Sequence, residues 1–169
     1  MKKTLLIDSD GVLVDFYKAW KEMFGHDIQD KPGTSKDRNR NWHAFVDAGG
    51  FSKLEMMPNA ATLILLLNMT SSMKRNVEII ILSSSGRPDT HDKVVEQKNA
   101  NWNSIGIKWE RIVVPGKRHK KDYANANSFL IDDHPLNIAE FISAGGHGHL
   151  YDDAKIGELL IPLFAFLKD

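Results

Sequence analysis

The 169-residue sequence predicts an α/β fold in which helices cover both faces of one parallel sheet. Two observations lead to this fold class. Short β-branched or leucine-rich runs alternate along the chain with stretches whose apolar residues recur at helical spacing. In addition, acidic and hydroxyl side chains directly follow several of these runs, as expected where the carboxyl ends of parallel strands meet at one edge of a sheet.

Composition limits the classes of protein that need to be considered. With 42% hydrophobic residues, the chain is long enough for one domain with a modest insertion and too short for two full domains. Basic and acidic residues number 22 each, which argues against a broad nucleic-acid-binding face. The absence of cysteine excludes disulfides, thiolate ligands and cysteine nucleophiles. Without an apolar run of signal-peptide or membrane-spanning length, we expect a soluble, cytoplasmic protein with no membrane partner.

The first half of the chain contains a strand, a helix, an insertion and a second helix. Leu5–Ile7 is the first predicted strand, and the apolar positions of residues 16–24 fit a short helix that ends at Gly25. Residues 26–50 lose this periodicity and are rich in polar residues, so we expect an inserted cap or loop whose aromatic residues pack over a neighbouring surface. A helix from Asn59 fits the next apolar positions and should be substantially buried.

The second half of the chain continues the alternation of strands and helices. The predicted strands cover residues 77–82, 111–114, 128–131 and 149–151. Predicted helices lie between and after them, over residues 89–103, 138–142 and 156–167. We expect a single domain with a core of about residues 1–15 and 56–169 and a small cap of about residues 16–55.

Side chains that bind cations or phosphate are concentrated at the ends of the predicted strands. In chain order they are Asp8 and Asp10, Ser83 and Ser84, a lysine shortly before the fourth strand, and Asp132 and Asp133. Carboxylates crowded at a strand end are costly unless a metal ion or a proton lies between them. Their oxygen atoms suit a hard cation such as Mg²⁺, while a lysine and a hydroxyl group can hold a phosphate. We therefore expect a site for Mg²⁺-dependent phosphoryl transfer.

Two of these groups also have a plainer interpretation. Serine is common in turns and helix caps, so the run Ser83-Ser84-Ser85 could be structural. The basic run of residues 117–121 is typical of a solvated face or a nucleic-acid patch, which should hold for most of its side chains even if one points inward.

The order of these groups resembles the four motifs of the haloacid dehalogenase (HAD) superfamily of phosphatases, and Asp8-Ser-Asp-Gly-Val-Leu-Val-Asp15 resembles the first of them. Within the superfamily the chain is most similar to the 5′(3′)-deoxyribonucleotidase family of phage and bacterial type. The similar segments are residues 8–16, 50–55, 58–60, 98–102 and 129–133. The resemblance implies a HAD-like, Rossmannoid sheet with a small cap inserted after the first strand.

The resemblance also implies roles for the acidic and hydroxyl residues. Asp8 corresponds to the nucleophile, which is also a metal ligand. Asp10 corresponds to the general acid/base, whose backbone carbonyl binds the metal. Ser83 matches the phosphate-binding hydroxyl, with Ser84 beside it in the substrate site. Of the last pair, Asp133 matches the direct metal ligand and Asp132 its neighbour, although these two roles could be exchanged.

The resemblance assigns three more residues to the site, and two of these assignments depart from the family pattern. Lys120 fits the position of the phosphate-binding lysine best, with Lys117 and Lys121 as close rivals. Lys98 matches a substrate-binding lysine but is spaced one residue differently from its tryptophan, so a surface lysine is the alternative. Phe16 matches an aromatic residue that lines the nucleotide pocket, and a role in the core of the cap is the alternative.

These observations predict a Mg²⁺-dependent phosphomonoesterase that acts through an aspartyl phosphate on a small phosphomonoester, above all a deoxyribonucleoside monophosphate. A polynucleotide-end phosphatase is the alternative that the basic run favours and the zero net charge does not. An alternative from another class is a receiver-like domain that holds phosphate without hydrolysing it. Asp10 argues for a hydrolase, because it supplies the acid/base that hydrolysis needs. The sequence does not indicate an oligomeric state.

Overall fold

The centre of the computed structural model, which describes residues 2–168, is a five-stranded sheet in the order β3-β2-β1-β4-β5. All four pairs of neighbouring strands are parallel. The strands are β1 (Lys3–Ile7), β2 (Val77–Ser84), β3 (Glu110–Val114), β4 (Ser128–Asp132) and β5 (His147–Leu150). The predicted fold class is confirmed, while the last strand begins two residues earlier than predicted.

Six α-helices connect or follow the strands within residues 2–168. They are α1 (Phe16–Phe24), α2 (Ser35–Asp47), α3 (Ala60–Met73), α4 (His91–Ser104), α5 (Pro135–Ser143) and α6 (Leu160–Lys168). A 3-10 turn over Asp153–Leu159 precedes α6, so the predicted closing helix is shorter than expected. No helix in this part of the chain has both the length and the apolar character that a membrane span requires.

The two faces of the sheet bury two apolar clusters. Successive residues of a strand point to opposite faces, so Leu5 and Ile7 belong to the larger cluster and Leu6 to the smaller one. The same alternation divides β4, where Phe129 lies on one face and Leu130 on the other. Because both faces are covered, the central strands read as continuous apolar runs.

The segment that lacks apolar periodicity contains a regular helix, α2. Its start is fixed by a capping box, in which the Thr34 hydroxyl accepts from the Asp37 amide and the Asp37 carboxylate accepts from the Thr34 amide. Only Trp42, Phe45 and Val46 of this helix are buried. The expected cap or loop thus contains a regular helix, which polar capping rather than an apolar stripe marks.

Helix α3 is buried on one face only, which corrects the expectation of substantial burial. The buried face consists of Ala60, Leu63, Leu67 and Thr70. Leu65, Met69 and Met73 are exposed on the other side, Met73 to 81%. Its high apolar content thus exceeds what its contacts with the sheet can bury.

An aromatic cluster joins α1 and α2 to the 3-10 turn over Gly50–Lys53. It consists of Phe16, Trp20, Trp42, Phe45 and Phe51. The rings of Phe16 and Phe51 are stacked, with centroids 5.4 Å apart. This packing makes the region between β1 and α3 part of the larger apolar cluster of the sheet. The limits of core and cap stay a prediction.

Helix α4 holds this region against the sheet through buried polar side chains. The Gln97 amide accepts from the Phe51 amide nitrogen at 3.2 Å and donates to the Val46 carbonyl at 2.7 Å. Asn101 donates to the Leu54 carbonyl at 2.9 Å. One helix therefore fixes the position of the aromatic cluster.

Candidate active site

The site lies at the carboxyl end of the sheet, where the central strand β1 ends between its neighbours β2 and β4. Asp8 directly follows β1, and its amide donates to the Ile131 carbonyl of β4 at 2.9 Å. This bond holds Asp8 beside Asp132, the last residue of β4. A cleft of about 810 Å³ opens above these strand ends and is lined by Asp8, Asp10 and Asp133 among others. The sequence therefore brings its two acidic pairs together, as predicted.

Lys120 is the member of the basic run that points inward. It is 2% exposed, and its ammonium group lies 2.8 Å from Asp8 Oδ1 and 2.6 Å from Asp132 Oδ2. Lys117 instead lies 3.0 Å from the imidazole of His134 at the cleft wall, and Lys121 is exposed. The 3-10 turn over Lys117–Tyr123 thus separates the three candidate lysines.

Lys98 is not a surface lysine, contrary to the alternative that its spacing suggests. Its side chain is 1% exposed and donates to both Asp10 carboxylate oxygens, at 2.7 and 2.6 Å. It also donates to the Ser83 hydroxyl at 3.0 Å. Lys98 therefore orients Asp10 from the core side of the site.

The two serines occupy different positions. Ser83 is buried, and its hydroxyl group accepts a hydrogen bond from the Lys98 ammonium group. Ser84 lines the cleft, and its hydroxyl accepts from the Gly86 amide at 3.0 Å. Phe16 lines the cleft and also packs within the aromatic cluster.

The acidic residues of β4 differ in their partners. Asp132 is fully buried, and its oxygens accept from Lys120, from the His134 amide and from the Asn137 side-chain amide. Asp133 faces the cleft, which Tyr17 also lines. Asp132 is thus placed to orient Lys120, while Asp133 is placed to meet a ligand.

Two residues of the site, Tyr17 and Asn137, have no signal in the sequence. Tyr17 follows the cleft residue Phe16 on α1, and only the fold brings it to Asp133. Burial, followed by the charge of Asp133, raises the pKa of the Tyr17 phenol, so it stays a hydrogen-bond donor. Asn137 lies on the first turn of α5, where no spacing rule distinguishes it from other polar residues.

Gly11 allows the chain after β1 to pass close to β4. Its φ is +83°, and a Cβ at this position would clash with the Asp133 carboxyl group and touch the Tyr17 ring. Gly106 has a similar φ of +80°, but a Cβ there would have no neighbouring atom within 4 Å. The two glycines share a backbone requirement and differ in steric surroundings.

We therefore expect Gly11→Ala to lower the free energy of unfolding by about 2 to 4 kcal/mol, more than the roughly 1 kcal/mol expected for Gly106→Ala. Urea unfolding of both variants would measure the difference. Equal losses would show that the left-handed backbone alone requires glycine at position 11 and that the Asp133 carboxyl group tolerates a Cβ there.

Carboxylates crowd at the strand ends of the site. Four of them, from Asp8, Asp10, Asp132 and Asp133, surround the ammonium groups of Lys98 and Lys120. Oxygen atoms of Asp8, Asp132 and Asp133 lie within 4.8 Å of one another. Hard oxygen ligands this close together suit a divalent cation such as Mg²⁺. Asp10 contributes no carboxylate to this group, because Lys98 holds its side chain.

Burial and neighbouring charges shift the pKa values of the ionisable groups in the site. Burial raises the pKa of Asp8 well above its ordinary value, and the Lys120 ammonium opposes this rise. Burial, followed by the charge of Asp132, raises the pKa of Asp133 to about 6. Burial alone would lower the pKa of Lys120, but Asp8 and Asp132 outweigh it and raise that pKa, so the ammonium stays charged.

The Asp133 pKa gives the metal response a pH dependence. The folded-state pKa of about 6 exceeds the ordinary 3.8, so this group's contribution to stability is complete below about pH 4 and is lost as pH rises through 6. Mg²⁺ bound to the carboxylate would offset that loss. We expect Mg²⁺ to raise the thermal midpoint more at pH 7 than at pH 5, as scanning calorimetry would measure. Asp133→Asn should reduce the difference, and an equal shift of the wild-type midpoint at both pH values would contradict the prediction.

The comparisons with known proteins place this geometry in a fold family. No protein-family profile matches the sequence, and no curated protein matches it. Solved structures do match. A hydrolase from Streptococcus pneumoniae TIGR4 is similar over 95% of this chain and 99% of its own, with 16% identity and a TM-score of 0.54.

A HAD family enzyme from Bacteroides thetaiotaomicron also matches, as a variant in complex with magnesium and inorganic phosphate. The similarity covers 95% of this chain and all of that enzyme, with 16% identity and a TM-score of 0.53. A haloacid dehalogenase-like family hydrolase from Streptococcus pneumoniae matches over 94% of this chain and 98% of its own, with 10% identity and a TM-score of 0.52. This chain therefore has the fold of haloacid dehalogenase-like hydrolases.

Proposed function

We propose that this protein is a Mg²⁺-dependent phosphomonoesterase in which Asp8 is the nucleophile. One observation carries the proposal: Asp8 is held by Lys120 at the centre of the strand edge, in the same cleft as Asp133 and the Lys98-bound Asp10. The HAD family enzyme that binds magnesium and phosphate in the same fold supports it. Mg²⁺, held by Asp8 and Asp133, would neutralise phosphate charge.

The contacts of Asp8 suit a nucleophile. Both the Lys120 ammonium and the Ser9 amide lie against Oδ1, which leaves Oδ2 to face an incoming phosphorus atom. Attack by Oδ2 forms a phosphoaspartate and breaks the bond from phosphorus to the ester oxygen. Lys120 remains near the transferred group and balances its charge.

The position of Asp10 suits the acid/base. Asp10 would first take up a proton from the phosphate ester or from solvent, and as the ester bond breaks it would give this proton to the leaving alkoxide. The resulting carboxylate then accepts a proton from the water that attacks phosphorus. The bond from phosphorus to the Asp8 oxygen breaks, which releases phosphate and regenerates Asp8. Lys98 keeps the carboxyl group of Asp10 oriented toward the cleft through both steps.

We further propose a deoxyribonucleoside monophosphate as the substrate. The motif resemblance supports this choice, and the cleft of about 810 Å³ is large enough for a nucleotide. Apolar walls at Phe16, Ile28 and Trp42 would face the sugar or the base. Ser84, beside the strand end, would donate its hydroxyl to the phosphate.

The test is phosphate release with and without Mg²⁺ from nucleoside 5′- and 3′-monophosphates and from an aryl phosphate. Metal-dependent turnover with a preference for deoxyribonucleotides supports the proposal. Turnover of the aryl phosphate alone would reject the nucleotide substrate. Absence of turnover on every compound, with Mg²⁺ bound, would favour a receiver-like domain that holds phosphate.

A further inference from the structure

A second pocket opens beside the cleft, between α1, α2 and the segment that connects them. This side pocket has a volume of about 300 Å³. Its lining includes Trp20, Ile28, Lys31, Arg38, Trp42 and Arg87. Ile28, Lys31 and Trp42 also line the cleft, so the two spaces adjoin. A molecule that fills the cleft can therefore extend into the side pocket.

The lining of the side pocket contains three cationic side chains and no acidic one. Among residues 2–168, no carboxylate oxygen lies within 4.0 Å of the charged groups of Lys31, Arg38 or Arg87. The lysines of the strand edge differ in this respect, because Lys98 and Lys120 are both paired with aspartates. Three uncompensated cations beside apolar walls attract an anion.

Two of these cations are held in place. The Arg38 guanidinium donates to the Gly33 carbonyl at 2.9 Å and, at 3.4 Å, to the Lys31 carbonyl. The Arg87 guanidinium bonds to the Asn39 side chain and lies 5.6 Å from the centre of the Trp42 ring. Binding an anion here thus costs little additional ordering of these side chains.

We propose that the side pocket binds a second phosphate group on the leaving group of the substrate. The proposal rests on the proposed phosphatase function, in which the first phosphate lies at Asp8. The preferred substrates are then phosphomonoesters with another phosphate one nucleotide unit away. A nucleoside 3′,5′-bisphosphate and the 3′-phosphorylated end of an oligonucleotide share this chemistry. The apolar side chains of Ile28 and Trp42, common to both spaces, face the sugar or base between the two phosphates.

The experiment compares kcat/KM for thymidine 5′-monophosphate, thymidine 3′-monophosphate, thymidine 3′,5′-bisphosphate and a 3′-phosphorylated thymidine dinucleotide. We expect kcat/KM for the bisphosphate or for the dinucleotide to exceed kcat/KM for the monophosphate that carries the same cleaved phosphate by roughly tenfold. This is the effect of a charge-assisted phosphate contact. A gain for the bisphosphate alone identifies a mononucleotide substrate, and a gain for the dinucleotide identifies a polynucleotide end.

Matched variants assign the preference to the side pocket. The preference is the ratio of kcat/KM for the compound with two phosphates to kcat/KM for the monophosphate. Lys31→Gln and Arg87→Gln should each reduce this ratio to roughly a third of the wild-type value or less, since each removes one cation and keeps a hydrogen-bond donor. Lys36→Gln, an equal charge change at an exposed lysine outside the pocket, should leave the ratio unchanged. A wild-type ratio near one overturns the proposal, as does a ratio that both pocket variants retain.

Failure of the proposed function gives a different result, namely no phosphate release from any of the four compounds. In that case calorimetric binding to the Asp8→Asn protein with Mg²⁺ decides the matter. Tighter binding of the bisphosphate than of the monophosphates supports the side pocket if this difference in affinity is lost when Lys31→Gln is added to Asp8→Asn. Equal affinities overturn it.

Discussion

Asp8→Asn is expected to reduce Mg²⁺-dependent phosphate release by at least about 10³-fold, because an amide cannot form the phosphoaspartate. The substitution preserves the size of the side chain and the acceptor oxygen that meets Lys120 and the Ser9 amide. Lys120 keeps Asp132 as its second partner. Steady-state phosphate release under saturating Mg²⁺ would measure the loss, and thermal unfolding would show that the variant is folded.

Asp15→Asn is the matched control for this prediction. Asp15 belongs to the same stretch of sequence, but its carboxylate caps α1 by accepting from the Lys18 amide at 2.9 Å. Asparagine is an equally good N-cap, so activity and stability should change little. If Asp8→Asn keeps more than a tenth of wild-type activity, Asp8 is not the nucleophile.

Lys120→Met is expected to lower the free energy of unfolding by about 3 to 5 kcal/mol, the usual cost of breaking a buried ion pair. The variant leaves Asp8 and Asp132 buried without their shared cation. Phosphate release should fall in parallel, because the charge that balances the transferred phosphate is absent. Urea unfolding measures the first effect.

The loss should depend on pH in a defined direction. Burial already raises the pKa of Asp8, and Lys120 opposes that rise, so its removal raises the pKa further. A group with a raised folded-state pKa stabilises the fold when protonated and loses that contribution as pH rises. Lys120→Met should therefore destabilise the protein more at pH 7 than at pH 4.5.

Lys121→Met provides the control, since it replaces the neighbouring, exposed lysine. Its effect on unfolding should stay within about 0.5 kcal/mol of zero, as for most surface substitutions. Equal losses for the two variants, or a Lys120→Met effect that is the same at both pH values, would contradict the role of the buried ion pair.

The fold was largely predictable because its signals are local. The strand–helix alternation follows from residue types alone. Helix α2 escaped prediction because its apolar content is low, and the box of Thr34 and Asp37 was its only strong signal. The exposed side of α3 was not predicted because the apolar content of this helix is high. Apolar content does not specify what covers a helix.

The candidate site was predictable only in part. Strand-end position was enough to bring Asp8, Asp132 and Asp133 together. The sequence could not decide which lysine of the basic run points inward, because that depends on the turn that buries Lys120. Nor could it place Tyr17 against Asp133, a contact between residues far apart in the chain.

The buried polar face of α4 links substrate fit to chemistry. Gln97, which holds the aromatic cluster, and Lys98, which holds Asp10, are adjacent on one helix. A substrate too bulky for the walls of the cleft would push the aromatic cluster against this helix and disturb the aim of Asp10. Selection against such substrates should therefore appear as slow turnover after binding, a lower kcat, rather than as weak binding alone.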